Sequence, residues 1–313
     1  MEIRFMKTFN CYDAMIFSAW EIYKPHCDFH YYYLDTFSFK YFKNEISKLT
    51  YNETAIRCGP FIENSLLKDY YGISITKEAA YNKGPVEQEI AGIVHRFEPI
   101  GIQIDSFYLP WNNLQFKTHR THCFLIVEIL EDGYICVDKF LSNNNVYIDK
   151  KTLEENIECF FYFKYDEKAK KKNTLRDIVQ FLKNYMCIEH KEHIEQIKEF
   201  AQDVLYLEND LDQPTDYSNI EQSKLIFSIA NVEWSRYHFS NALKLASQEL
   251  DTPLFDDITP RVDEIYVMWG KVKSLLIKNI FANIYCNKAS QIIKTIADKE
   301  NEVIELLLKL DVA

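Results

Sequence analysis

Near the amino end of this 313-residue chain a cysteine opens an amphipathic run, Phe9-Asn10-Cys11-Tyr12-Asp13-Ala14-Met15-Ile16. The first N–H groups of a helix have no intrahelical partner and carry the positive end of its dipole, so a thiol placed there has its thiolate favoured. Far along the chain His122 opens a strand-like run, and Asp138 follows sixteen residues later. Acyl transfer through cysteine needs a thiolate, an imidazole that takes and returns a proton, and a group that fixes the imidazole tautomer. Cys11, His122 and Asp138 are of the right types for these roles. The Cys11 backbone N–H could receive a developing oxyanion, with the Asn10 side-chain amide as second donor. Asn10 is equally suited to capping the helix.

Asp138 is the member that spacing supports least. A two-residue turn at Asp132-Gly133 pairs it with Val127, on the face opposite His122, because cross-strand partners share a face. A three-residue loop or a bulge restores the face. Asn143, Asn144 and Asp105 therefore stand as alternatives for the orienting role. His119 and His122 are spaced like a metal pair, but no strong third or fourth ligand lies nearby, and no metal is expected.

The elements that must position these residues follow from periodicity. Ile16, Ala19, Trp20 and Tyr23 form a helical stripe, and further helices are expected over 63–70, 76–82 and 86–97, with Lys83-Gly84-Pro85 as a breaker. The period then becomes that of strands. Ile100, Ile102 and Ile104 alternate toward Asp105. Cys123 to Ile129 and Tyr134 to Asp138 read as an antiparallel hairpin around Glu131-Asp132-Gly133, and 159–165 as a further strand. The lysine-rich stretch 166–173 reads as a linker. From Thr174 onward the spacing is helical, with breaks near Pro214, Pro253 and Pro260. The expectation is α+β, with a mixed domain over 1–165 and a helical domain over 174–313. His190 and His193 are expected on an exposed helix face. The aromatic run Phe29 to Tyr33, with Phe37, Phe39, Tyr41 and Phe42, reads as core rather than pocket lining.

Composition narrows the function. A net charge of −11 argues against nucleic acid, whose phosphates demand a basic surface. None of the seven glycines falls in a GxGxxG or GxxxxGK[ST] pattern, so no phosphate-cradling loop and no bound cofactor are expected. Eight cysteines without a CxxC pair read as reduced thiols. Charge interrupts every apolar stretch short of a membrane span, and no leader-like apolar region opens the chain, so a cytoplasmic protein without a membrane partner is expected.

Cys11, the segment Asp105-Ser106-Phe107-Tyr108-Leu109-Pro110-Trp111, and His119-Arg120-Thr121-His122 followed by Cys123-Phe124-Leu125-Ile126-Val127 together resemble the butirosin biosynthesis protein H family. The resemblance covers residues 1 to about 165. It implies a papain-like cysteine-peptidase fold with the helical domain appended. It also implies transfer of an acyl group from the phosphopantetheine thioester of a carrier protein to an amine, as in aminoglycoside antibiotic assembly. The interval from His122 to Asp138 is similar to that of papain-like and bacteriocin-processing peptidases. Those peptidases carry a Gln ahead of the cysteine, whereas Lys7, Thr8, Phe9 and Asn10 stand here, which disfavours peptide hydrolysis. Papain-like enzymes of polythioamide antibiotic assembly also form amides, and the residues do not separate the two roles.

The expected reaction is amide formation through a Cys11 acyl-enzyme. Asp105 would hold the cationic amine, while Tyr108 and Trp111 would shape the acyl pocket. Lys168 to Lys172 would meet the acidic acyl or peptidyl carrier protein. The alternatives are a hydrolase of peptides, amides or thioesters on the same frame and a non-catalytic binding protein. Whether the helical domain covers a cleft or forms a homo-oligomer is open.

Overall fold

Alternating apolar residues between Ile73 and Tyr165 build a six-stranded antiparallel sheet, and the longer helical runs supply the rest of the chain. The computed structural model describes residues 10–43, 46–52, 55–59, 63–82, 85–96, 98–113, 115–117, 119–169, 172, 174–211, 223–282 and 284–311. In chain order the elements are α1 (Cys11–Tyr23), β1 (Lys40–Tyr41), β2 (Ile56–Arg57), α2 (Glu63–Leu66), β3 (Ile73–Ala79), α3 (Val86–Val94), β4 (Ile100–Asp105) and β5 (Thr121–Ile129). They continue with β6 (Gly133–Val137), β7 (Asn145–Asp149), α4 (Lys150–Asn156), β8 (Ile157–Tyr165), α5 (Leu175–Asp203), α6 (Lys224–Glu249), α7 (Thr259–Ala282) and α8 (Cys286–Lys309).

The chain divides into two compact units, Met1–Phe29 with Leu67–Lys170 and His30–Leu66 with Lys171–Ala313. In the first, the strand order is β3-β8-β4-β5-β6-β7. One face of this sheet carries Ile100, Ile102, Ile104, Phe124, Ile126 and Phe160 in a closed core with residues of α3 and α4. The helix α1 packs against β5 and is buried from Asp13 to Glu21. It approaches the sheet closely at Gly101, where a Cβ would lie 2.6 Å from Met15 Sδ and 2.9 Å from Phe161 Cβ. Any larger residue there would have to displace the Met15 side chain of the helix that carries Cys11, and press on Phe161.

Two local expectations change. Residues 76–82, expected helical, are the end of β3 and a short 3-10 turn, because β3 forms a continuous ladder with β8 from Ile73↔Tyr165 to Ala79↔Cys159. Thr76-Lys77-Glu78-Ala79 has helix-tolerant side chains, and the tertiary partner overrides that weak preference. Strand β7 and helix α4 were not expected at all.

In the second unit, residues 30–66 pack with the helices and not, as their position in sequence implied, with the sheet. Their aromatics explain this. Tyr32, Tyr33, Phe37 and Phe39 are buried, with Phe39 stacked on Trp269 at 5.6 Å and Phe37 against Phe239 at 4.8 Å. Thr174 opens α5 with a reciprocal capping box to Asp177, which marks the end of the linker. Lys170 and Lys171 of that linker, and Pro214, lie outside the described residues. The break expected near Pro253 and Pro260 lies between α6 and α7, with Pro260 in the first turn of α7, where its missing N–H costs nothing.

His193 is a correction. It is buried, accepts the Phe39 N–H at Nδ1 (3.1 Å), and meets Glu300 through Nε2 at 2.5 Å. Glu300 also accepts from Arg236 Nε (2.9 Å), Arg236 Nη2 (2.7 Å) and Trp269 Nε1 (3.1 Å). Helical spacing cannot distinguish this buried polar centre from a solvated face. The side chain of His190 lies outside the described residues. Among the described residues, no helix is long and apolar enough to cross a membrane.

Candidate active site

Asn10 is the N-cap of α1. Its backbone is extended (φ −155°), and its Oδ1 accepts the Asp13 N–H at 2.9 Å. That bond fixes Cys11 as the first helical residue, with its N–H ahead of the first intrahelical bonds. The Asn10 oxygen is committed to the cap.

His122, second residue of β5, is buried, and its Nε2 lies 2.7 Å from Asp138 Oδ2. The carboxylate only accepts, so Nε2 carries the proton and Nδ1 is the nitrogen left to serve Cys11, whose charge and that of His122 stabilise each other. Asp138 is fixed by three further donors. Trp111 Nε1 donates to Oδ2 at 2.7 Å, and the N–H groups of Phe140 and Leu141 donate to Oδ1 at 3.2 and 3.1 Å. Trp111 also packs edge-on against Phe124 at 5.4 Å.

A β-bulge brings Asp138 to the right face. Ile129 pairs with Tyr134 and Glu128 with Ile135, but Ile126 pairs with Cys136 and Leu125 with Val137, so Val127 is an unpaired extra residue. One added residue inverts the parity of every later pair, and Asp138 falls on the face of Phe124 and His122. The turn itself falls one residue earlier than expected, closed by Leu130 N–H to Gly133 O at 2.8 Å. Without the bulge that turn would still leave Asp138 facing away. Asn143 and Asn144 are engaged within the same loop, their carbonyls accepting from Lys139 Nζ and Ser142 Oγ.

The electrostatics follow from these contacts. The Cys11 thiol is lowered to about 5, most by a hydrogen bond from the Cys123 thiol, against burial that raises it, and further by the bond to and the charge of His122. Burial alone would lower His122, but the bonds to Asp138 and Cys11 and their charges raise it to about 9. Thiolate and imidazolium thus coexist as a pair between those limits. Alkylation of Cys11 by iodoacetamide is expected to rise with pH through about 5 and stay flat to about 9. An unperturbed thiol would rise only through about 8.5, and a rate that climbs there would show that no ion pair forms.

The remaining residues separate into other roles. Asp105 accepts from Phe107 N–H (2.9 Å) and Arg120 N–H (3.1 Å) and meets His119 Nδ1 at 2.6 Å. It therefore ties together the loop from β4 to β5 and is not an open anion for an amine. His119 stacks on Phe107 at 4.1 Å, so the two histidines serve different carboxylates. Among the described residues, no group of three or more His, Cys, Asp or Glu side chains could hold a metal ion. Tyr108 is half-buried and meets Phe107 edge-on at 5.1 Å.

Two participants were missed in sequence. Trp111, expected to shape an acyl pocket, donates its N–H to the Asp138 carboxylate that meets His122. A half-buried indole N–H needs an acceptor, which is the signal available, but its partner lies 27 residues away. Cys123, which most lowers the Cys11 thiol, is in sequence only one more strand residue.

The geometry defines a thiol–imidazole–carboxylate site built from a helix N-terminus and an antiparallel hairpin. No protein-family model and no curated protein matches the chain.

Proposed function

We propose that this protein is a cysteine-dependent acyltransferase on a papain-like frame, forming an amide between a carrier-bound acyl group and a small-molecule amine in natural-product assembly. The observation that carries this reading is the Nε2–Oδ2 bond of 2.7 Å between His122 and Asp138, which leaves the other imidazole nitrogen for a thiol whose ionisation His122 favours. A buried, oriented imidazole beside a thiol at a helix start is the arrangement nucleophilic catalysis requires.

The Cys11 thiolate attacks the thioester carbonyl of the carrier's phosphopantetheine arm. The oxyanion forms beside the Cys11 N–H, and the arm leaves as a thiol with the proton of His122. The amine then attacks the acyl-enzyme, His122 takes its proton, and Cys11 departs as thiolate. Thioester exchange is nearly isoenergetic and amide formation is downhill, so no ATP is consumed. The site's task is to position the amine and exclude water. Phe140, 46% exposed with its ring 6.1 Å from that of His122, supports an apolar lip over the imidazole suited to an acyl chain.

The test is intact mass after incubation with an acylated carrier and then with an amine. The expected result is an acyl adduct on Cys11, discharged as amide when amine is present. Free acid regardless of amine would make the protein a hydrolase. Absence of any adduct, with carrier turnover unchanged in Cys11→Ala, would leave only a binding role.

A further inference from the structure

Near the start of α1 the sheet carries a carboxylate that a β-bulge has turned toward the helix side. Ile100, Ile102 and Ile104 lie in the closed core, so Gly101 and Gln103 face the side that α1 covers. The helix runs along β8, with the Tyr12 ring against Phe161 at 5.4 Å and the Tyr23 ring stacked on Tyr165 at 5.2 Å. Strands β8 and β4 are antiparallel, so the start of α1 points along β4 from Gly101 toward Gln103. Met15 lies against Gly101. Cys11 is one turn ahead of Met15, about 5.4 Å, and Gln103 is two residues beyond Gly101, about 7 Å. The two advances match, and Cys11 is carried to the Gln103 end of this face.

Gln103 pairs with Cys159 and Ile104 with Ile157, which leaves Glu158 as the extra residue of a bulge. In an unbroken ladder Glu158 would alternate with Cys159 and point toward the closed core. The bulge re-aims it, and Gln103 Nε2 donates to its Oε2 at 2.6 Å. Lys77 Nζ donates to Gln103 Oε1 at 2.8 Å and sits 5.4 Å from the centre of the Phe161 ring. Lysine only donates and a carboxylate only accepts, so the two charges fix which end of the Gln103 amide faces which. Glu158 is exposed, and among the described residues its Oε1 has neither a hydrogen-bond donor nor an ion-pair partner.

We propose that Glu158 sets the specificity of the amine step by holding a second positive charge of the acceptor, so that a diamine or polyamine is preferred over a monoamine. The inference rests on the reading of Cys11 as the acylated nucleophile. Asp105, expected to hold the amine, is closed by its own loop, whereas Glu158 offers an open carboxylate on the Cys11 side of the sheet. The ammonium at one end of the acceptor pairs with Glu158 Oε1 and is unchanged by the reaction. The neutral amine at the other end attacks the acyl carbon. The C–N bond forms, the C–S bond breaks, Cys11 leaves as thiolate, and His122 takes the proton from the nitrogen. The charged contact contributes to binding alone, and its exposure holds that contribution to about tenfold in KM.

The experiment acylates the full-length protein with a small acyl thioester, verifies the Cys11 adduct by intact mass, and follows its discharge by putrescine and by butylamine. Putrescine should show a KM about tenfold below that of butylamine, a gap that narrows at high salt. Glu158→Gln, which keeps an acceptor for Gln103, should bring the two KM values together with little change in the limiting rate. Glu158→Lys should reverse the preference, favouring γ-aminobutyrate over putrescine. Equal KM values in the wild-type protein, or a putrescine preference that survives in Glu158→Gln, would overturn the assignment and leave the acyl-enzyme standing. Failure of any acyl adduct to form on Cys11 would remove both.

Discussion

Asp138→Ala is expected to lower amide-forming turnover by about 10⁴-fold, the scale set by loss of the orienting carboxylate of a nucleophile–histidine pair. The side chain accepts four donors at once: His122 Nε2, Trp111 Nε1 and the N–H groups of Phe140 and Leu141. Its removal frees the imidazole to rotate and withdraws the charge that raises His122. The Cys11–His122 pair weakens as a result, and alkylation of Cys11 at pH 6 should slow together with turnover. Asp138→Asn is the informative companion. An amide has one accepting oxygen, which can serve either the His122–Trp111 pair or the two backbone donors, but not both. That variant should lose roughly 1–3 kcal/mol of stability whichever way it turns, with turnover above that of the alanine variant if its oxygen faces His122. Wild-type acylation and alkylation rates in Asp138→Ala, with an unchanged circular dichroism spectrum, would show that Asp138 is only a structural acceptor.

Glu300→Ala carries the largest expected loss of stability, about 3–5 kcal/mol in urea unfolding followed by circular dichroism. Arg236 and Glu300 are fully buried, and the guanidinium reaches the carboxylate through two nitrogens, at 2.9 and 2.7 Å. Arg236 Nη1 also donates to Ser38 O at 2.9 Å, so the pair fastens the segment before β1 to α6 and α8. Without Glu300 the arginine is a buried charge with no counter-ion, and His193 and Trp269 lose their acceptor. The pH dependence has a definite sign. Burial would raise Glu300, but Arg236 and His193 hold it at about 2, below its ordinary 4.5. Its contribution is therefore complete above pH 4.5 and is lost as pH falls toward 2. Glu300→Gln should lack that acid-dependent component. A loss under 1 kcal/mol in the alanine variant would mean that water reaches the cluster.

Much of the site was legible because its signals are local. Asn10 ahead of Cys11 is a cap at the spacing a helix start requires, and the apolar run from Cys123 to Val127 is what a strand covered on both faces imposes. What was not legible arose from parity and distance. A bulge leaves no mark in composition, since Val127 is as good a strand residue as its neighbours. Yet that one residue decides whether Asp138 faces His122 or turns away. Asp105 looked like an open anion at a strand end because its acceptors are filled by a loop that folds back from Arg120. Buried His193 looked like a surface residue because Lys191 and Glu192 precede it and its partner lies 107 residues away.

By itself the sequence determined the helix that starts at Cys11, the strand that carries His122, the mixed α+β character and the helical second half. These depend on propensities and periods that act over a few residues. Only the tertiary structure decided which carboxylate meets His122, that Trp111 holds it, and that residues 30–66 pack with the helices. Each of those depends on register, or on contacts between segments far apart in the chain, which are fixed when the cores close.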